Sequence, residues 1–139
     1  MTVPLLCVLV FSIWTVTLVV AGVGAHRVLA VVSGRAASDA FPADQDHGGP
    51  AWYRRCIRAH MNCVENLPVF ASVVLVGSVI GLDDPTLDTL ALVYVGARVL
   101  QSAVHISSTS VMAINVRFGF FVVQLTCLVA YVGWIGFAG

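Results

Sequence analysis

The chain is too apolar for a water-soluble domain, because 59% of its 139 residues are hydrophobic and only 10% are charged. Soluble domains carry about 25% charged residues, and a chain this short cannot bury so much apolar surface in one water-facing core. Seven basic and seven acidic residues cancel, so the charge gives no reason to expect a nucleic-acid partner. Composition therefore predicts a single integral membrane domain with the lipid bilayer as a partner.

The first predicted span covers residues 3–32. Val3 to Val23 is almost uninterrupted apolar sequence, which is long enough to cross a hydrocarbon layer of about 30 Å. The uncharged start, Met1-Thr2-Val3, differs from the basic start of a signal peptide, so a retained span is expected. The helix is predicted to leave the membrane near His26 and Arg27.

A loop is predicted at residues 33–52, where Gly and Pro recur without any hydrophobic period. Three further spans follow at residues 53–82, 86–108 and 113–137. The second begins beside Trp52 and Tyr53, whose rings favour the membrane interface. The fold class predicted from this pattern is all-α, an integral membrane four-helix bundle.

Charge predicts the orientation of the bundle. Five arginines lie in or beside the 33–52 loop, and Arg117 lies by the short loop predicted on the same side. The opposite side carries Asp83, Asp84 and Asp88 and no basic residue. Because arginine-rich loops stay in the cytoplasm, loop 33–52 is expected to be cytoplasmic and both termini to lie on the opposite side.

Two polar helix faces enter this apolar bundle, with residues recurring at spacings of three and four. The first is in the second span and consists of Arg55, Arg58, Asn62 and Glu65. The second is in the third span and consists of Arg98, Gln101 and His105, with Tyr94 one turn earlier.

Charges inside a membrane usually pair or face a wet cavity. Glu65 is expected to pair with Arg98 and so to hold the second and third helices together. One carboxylate cannot neutralise all the arginines near this end of the bundle, so the excess predicts an anion-binding site at the cytoplasmic face. The arginines nearest the loop are assigned to lipid phosphates instead; they are Arg27, Arg35 and Arg54.

Several polar residues keep two interpretations. Asn62 can orient a ligand amide or form an interhelical hydrogen bond. His105 is either a neutral core histidine or a ligand contact, and His60 is interpreted as a helix contact. No metal site is predicted, because the four cysteines show neither a C-x-x-C pair nor zinc-like spacing.

Residues 55–70, R-C-I-R-A-H-M-N-C-V-E-N-L-P-V-F, resemble the signature of the MAPEG family, the membrane-associated proteins in eicosanoid and glutathione metabolism. V-G-A-R-V at 95–99 and Arg117 near the start of the last span extend the resemblance over nearly the whole chain. It implies a homotrimer of four-helix protomers. It also implies that glutathione or another low-molecular-weight thiol binds between subunits near the cytoplasmic face.

The resemblance also implies residue roles. Arg117 would be the catalytic residue, stabilising a thiolate that attacks a lipophilic small molecule arriving from the bilayer. The implied thiol-binding residues are Arg58, Asn62, Glu65 and His105, and the implied structural residues are Arg55 and Arg98.

Departures from the family pattern remove polar groups from the expected thiol site. They are Met61, Cys63, His105, Phe118 and Phe121, together with a longer spacing from His105 to Arg117. Two functions therefore stay open. The first is a glutathione (or similar thiol) transferase-, peroxidase- or isomerase-like enzyme acting on lipophilic electrophiles. The alternative is a non-catalytic protein of the same fold that binds a lipid or serves as an assembly subunit.

Overall fold

The computed structural model describes residues 1–41 and 49–138, and within them the chain is helical with no strand. The core of the predicted 33–52 loop, residues 42–48, lies outside the described residues. Four long helices account for most of the rest: α1 (Val3–Val32), α2 (Ala51–Val79), α3 (Pro85–Ser107) and α4 (Val111–Ala138). All four are long and apolar enough to cross a membrane, which confirms the predicted all-α class and the number of spans.

Helix α1 is not regular along its length. Its first part, Val3–Thr17, is α-helical and carries Pro4 in its first turn, where the missing N–H is harmless. A π-helical segment follows at Leu18–Gly24, and α-helix resumes at Ala25–Val32. The wider π turn lies where α1 passes α2 closely, because a Cβ atom built on Gly22 would be 3.0 Å from the Cβ atom of Cys56.

Glycine ends two of the helices. Helix α2 stops three residues earlier than predicted because Gly81 adopts φ +75°, a left-handed conformation that side chains disfavour. Two backbone bonds then close the helix end: Leu82 N–H donates to the Gly77 carbonyl at 3.1 Å, and Gly81 N–H donates to the Ser78 carbonyl at 3.2 Å. Gly34, with φ +68°, closes α1 in the same way.

Helix α3 begins immediately after the acidic turn. The Asp84 carboxylate accepts a hydrogen bond of 2.7 Å from the Thr86 backbone N–H, which satisfies one of the free donors at a helix start. Hydrogen bonding from the Thr86 side chain, together with this backbone bond, holds the pKa of Asp84 below its ordinary value. Pro85 occupies the first helical position, so the sequence Asp-Pro-Thr sets the boundary.

The bundle is built around α3, which packs against the other three helices. Three aromatic rings of its core lie close together. Phe70 and Tyr94 stack with centroids 4.3 Å apart, and Phe11 lies 6.2 Å from each of them. Large apolar side chains such as Val79 and Phe137 remain exposed on the outside. Burying such residues in lipid is favourable, so the chain is an integral multi-pass membrane protein.

We expect Gly22→Ala to lower the midpoint of thermal unfolding in detergent, because the added methyl group meets the Cβ atom of Cys56. The matched control is Gly96→Ala in α3, where an added Cβ atom has nothing within 4 Å. That change should be neutral or stabilise by up to about 1 kcal/mol, the usual gain when Ala replaces Gly in a helix. Equal shifts for the two variants would contradict close packing of α1 on α2.

Candidate functional site

The candidate site lies at one end of the bundle. Helix α1 ends there, α2 begins, α3 ends and α4 begins, so residues 33–50 and 108–110 connect helices on the same side. We call this end the loop side. Most of the predicted site residues belong to the loop-side halves of α2, α3 and α4.

Arg55 joins the start of α2 to the end of α3. Its Nε atom donates to the Ile106 carbonyl at 2.6 Å, and Ile106 lies in the last turn of α3, where carbonyls have no partner within the helix. A cation at a helix C-terminus is favourable as well. This contact ties the start of α2 to the end of α3.

Three arginines lie within electrostatic reach of one histidine. The side chain of His105 lies within electrostatic reach of Arg117, Arg58 and Arg55, which come from α4 and α2. We call these four side chains the cationic cluster. In the part of the chain that the structure describes, neither Arg58 nor Arg117 is paired with a carboxylate. The structure therefore brings together the excess positive charge that the sequence predicted.

The polar face of α2 is directed away from the protomer core. Cys56, Ala59 and Cys63 form the buried side of the helix, with exposures of 5% or less. Arg58 and Glu65 are exposed, and Asn62 is half-buried. Glu65 lies fourteen residues after Ala51, which corresponds to about 21 Å along the helix axis. The carboxylate is thus near the middle of a span, on the protomer surface.

The expected pair between Glu65 and Arg98 is not formed within a protomer. Glu65 is exposed, whereas Arg98 is 2% exposed and points into the core, with its guanidinium carbon 5.8 Å from the centre of the Phe11 ring. The Nε and Nη2 atoms of Arg98 have no hydrogen-bond partner among the described residues. The prediction failed because helical spacing shows which residues share a face but not which neighbouring helix that face meets.

Gln101 and Gln124 form contacts that the sequence analysis did not assign to the site. The Gln101 side-chain amide donates to the Arg117 carbonyl at 2.8 Å, and its oxygen accepts from the Gln124 amide at 3.1 Å. The sequence did indicate that Gln101 is near the site, since it shares a helix face with Arg98 and His105. Its partners could not be identified because they depend on how α3 packs on α4.

Other polar residues near the loop side are engaged within the protomer. His60 Nδ1 lies 3.1 Å from the Thr15 carbonyl, an atom that can only accept, so His60 is the donor in a bond between α2 and α1. Arg27, which was expected to meet lipid phosphate, donates from Nε to the Tyr53 hydroxyl at 2.8 Å. Both contacts stabilise helix packing.

Two departures from the family pattern have structural consequences. Cys63 is fully buried, with its sulfur 3.5 Å from the Ser102 hydroxyl, so it belongs to the core. Phe118 is 67% exposed and Phe121 is 42% exposed, and both are close to Arg117 in the chain. An apolar surface therefore adjoins the cationic cluster. Among the described residues, no group of His, Cys, Asp and Glu could hold a metal ion.

The fold and the site therefore define a polytopic membrane protein that has four helices and a cationic cluster at one end. Residues 4–137 match the sequence profile of the MAPEG family. The match covers nearly the whole chain, so the protein belongs to this family. Membership indicates a role in membranes related to glutathione or eicosanoid metabolism. Comparison with curated proteins found no match.

We expect Arg55→Met to destabilise the protein by about 1.5–3 kcal/mol, the typical contribution of a hydrogen bond to a charged group. The change keeps most of the side-chain volume but leaves the Ile106 carbonyl without its donor. Unfolding in detergent measures the effect, and Arg54→Met is the control because Arg54 is exposed one position away. Indistinguishable variants would mean that the Arg55 contact contributes nothing to stability.

Proposed function

We propose that this protein is a homotrimeric membrane enzyme that uses glutathione, or a similar low-molecular-weight thiol, to attack lipophilic electrophiles. The observation that carries the proposal is the cationic cluster, whose guanidinium groups Arg58 and Arg117 lack a carboxylate partner among the described residues. Guanidinium groups without a carboxylate partner favour an anionic ligand. Family membership makes a glutathione-like thiol the first candidate.

The polar face of α2 suits the groups of glutathione, which carries two carboxylates, one ammonium and two peptide amides. Arg58 offers a guanidinium that can bind a carboxylate bidentately. Asn62 can donate to and accept from an amide, and Glu65 can accept from the ammonium group. Arg58 and Glu65 are seven positions apart, which corresponds to about 10 Å along the helix axis. All three groups are at least partly accessible on the protomer surface.

In this proposal Arg117 has the catalytic role. Its guanidinium stabilises the thiolate after the thiol proton has left to water on the loop side, and the thiolate is the stronger nucleophile. The sulfur electron pair then forms a bond to an electrophilic atom of the second substrate. The bond from that atom to its leaving group breaks, and the leaving group keeps the electron pair and takes a proton from water. Phe118 and Phe121 offer that substrate an exposed apolar surface beside Arg117. Transfer, peroxide reduction and isomerisation all begin with this attack.

A trimer explains the position of Glu65. A carboxylate near the middle of a span is costly when it faces lipid, and Glu65 is exposed on the isolated protomer. Cover by a neighbouring protomer removes that cost. The same contact would place the polar face of α2 between subunits, where the resemblance puts the thiol.

We expect Glu65→Leu to shift the protein from trimers towards smaller species, because the change leaves charges of the neighbouring subunit unpaired. Native mass spectrometry from detergent measures the distribution. Ser72→Leu is the matched control: Ser72 is exposed two turns further along the same face of α2, and its hydroxyl donates within its own helix to the Pro68 carbonyl. An intact trimer in the Glu65 variant would contradict interfacial placement.

The second candidate is a non-catalytic protein that keeps the fold and binds an anionic lipid or joins a larger assembly. The exposed Phe118 and the buried Cys63 favour it, because neither offers a polar group to a thiol. A lipid would place its headgroup against the arginines and its chains against the phenylalanines. The experiment below separates the two functions.

We expect calorimetry to detect glutathione binding to the wild-type protein in detergent. The fraction of bound glutathione that is thiolate should exceed the fraction for free glutathione in buffer at the same pH. We expect Arg117→Gln to reduce that fraction by about tenfold, which corresponds to one pKa unit of the thiol, while calorimetry still detects binding. Ultraviolet absorbance of the thiolate reports the ionisation. Arg54→Gln, which removes an exposed arginine at the start of α2, should leave both quantities unchanged.

The outcomes are distinct. Binding without extra thiolate would overturn the catalytic role of Arg117. Absence of heat and of a thermal shift with glutathione, together with stabilisation by vesicles of anionic lipid, would favour the non-catalytic function.

A further inference from the structure

The helices α3 and α4 are joined by a chain of amide hydrogen bonds that ends at Arg117. Gln101 of α3 donates from Nε2 to the Arg117 carbonyl at 2.8 Å. Gln124 of α4 donates from Nε2 both to Gln101 Oε1 at 3.1 Å and to the Phe120 carbonyl at 2.9 Å. Gln124 is 2% exposed, so this chain lies inside the bundle.

The bond from Gln101 fixes the backbone of α4 at the residue proposed to be catalytic. Apolar helix surfaces in a membrane are held together mainly by van der Waals packing, which tolerates small axial shifts. A shift of α4 by one residue would move Arg117 by about 1.5 Å along the axis and about 100° around it. A hydrogen bond to the Arg117 carbonyl opposes both movements. The bond therefore constrains the height and the rotation of α4 at Arg117.

The direction of each hydrogen bond follows from the first. A carbonyl only accepts, so Gln101 must turn its NH2 group towards Arg117, and its oxygen then faces Gln124. Gln124 must in turn present its own NH2 group, which leaves Gln124 Oε1 buried without a partner among the described residues. A buried acceptor without a partner is unfavourable. The hydrogen bond from Gln101 to the Arg117 carbonyl is thus formed at the expense of a hydrogen bond to Gln124 Oε1.

We propose that Gln101, supported by Gln124, is a positioning residue that sets where the Arg117 guanidinium stands in the cationic cluster. The inference rests on the proposed function for its catalytic meaning, since it assigns to Gln101 the placement of the group that stabilises the thiolate. Gln101 touches neither thiol nor electrophile in this role. It acts through the backbone of α4.

The test compares Gln101→Glu, Gln101→Leu and Gln124→Leu with wild-type protein in detergent. Glutamate keeps the size of residue 101 and can accept from Gln124, but its carboxylate cannot donate to the Arg117 carbonyl. The control is Thr126→Val, because Thr126 is exposed on α4 and its hydroxyl donates within the helix to the Val122 carbonyl. Should Gln101→Leu fail to fold, Gln101→Glu carries the test.

The deciding measurement is the side-chain NMR signal of Arg117 in protein with ¹⁵N-labelled arginine, assigned from its loss in Arg117→Gln. We expect this signal to move in both Gln101 variants and not in Thr126→Val, while the signal of Arg55 stays in place as an internal reference. A purely structural role for Gln101 would leave the Arg117 signal where it is. An unmoved Arg117 signal in Gln101→Glu overturns the inference.

Measurements of enzyme activity then test separately whether the position of Arg117 matters for catalysis. If wild-type protein ionises bound glutathione, Gln101→Glu should lower kcat by about tenfold or more, since misplacement by about 1 Å can reduce a rate by orders of magnitude. The calorimetric affinity for glutathione should change far less. Loss of affinity with unchanged kcat would overturn positioning in favour of direct ligand contact. Absence of thiolate in the wild type would refute the proposed function, whereas the Arg117 signal would still decide whether Gln101 positions Arg117.

Discussion

Arginine charge without a carboxylate partner among the described residues is the constraint on which the rest of this structure depends. Guanidinium groups stay ionised, and a bilayer offers them no water to replace a missing counterion. Arg98 lies 2% exposed in the core with two nitrogens unpartnered among the described residues. Arg55, Arg58 and Arg117 lie within electrostatic reach of His105. Glu65, the carboxylate expected to pair with Arg98, is on the outer surface of the protomer.

The two ends of the bundle are held together in different ways. On the loop side, side chains reach across helices to backbone carbonyls, as Arg55 does to Ile106 and Gln101 does to Arg117. Towards the opposite end, packing of apolar side chains around Phe11, Leu87 and Tyr131 dominates. Hydrogen bonds to backbone atoms hold a helix at one height, whereas apolar packing is less directional. The end that carries the cationic cluster is therefore the end where helix positions are most narrowly defined.

Helix α2 connects this constraint to function because its two sides do different things. Small residues, Cys56, Ala59 and Cys63, let it approach α1 and α3 closely. Its other side presents Arg58, Asn62 and Glu65 outward. A family in which glutathione or eicosanoid metabolism takes place in membranes needs a polar site for one substrate and apolar access for another. The outward polar face of α2 offers a polar surface, and the exposed Phe118 and Phe121 of α4 offer an apolar one.

The sequence by itself determined the membrane class, the four helices and the family, because span length, apolar content and a local motif are properties of consecutive residues. It also predicted that positive charge would collect at one end, since helical spacing puts Arg55, Arg58, Asn62 and Glu65 on one face. Only the tertiary structure decided that this face points outward, that Arg98 does not meet Glu65, that α1 contains a π-helical segment at Gly22, and that Gln101 holds the backbone of Arg117. Each of these depends on which helix surfaces meet and at what height, and periodicity along a single helix contains no information about its neighbours.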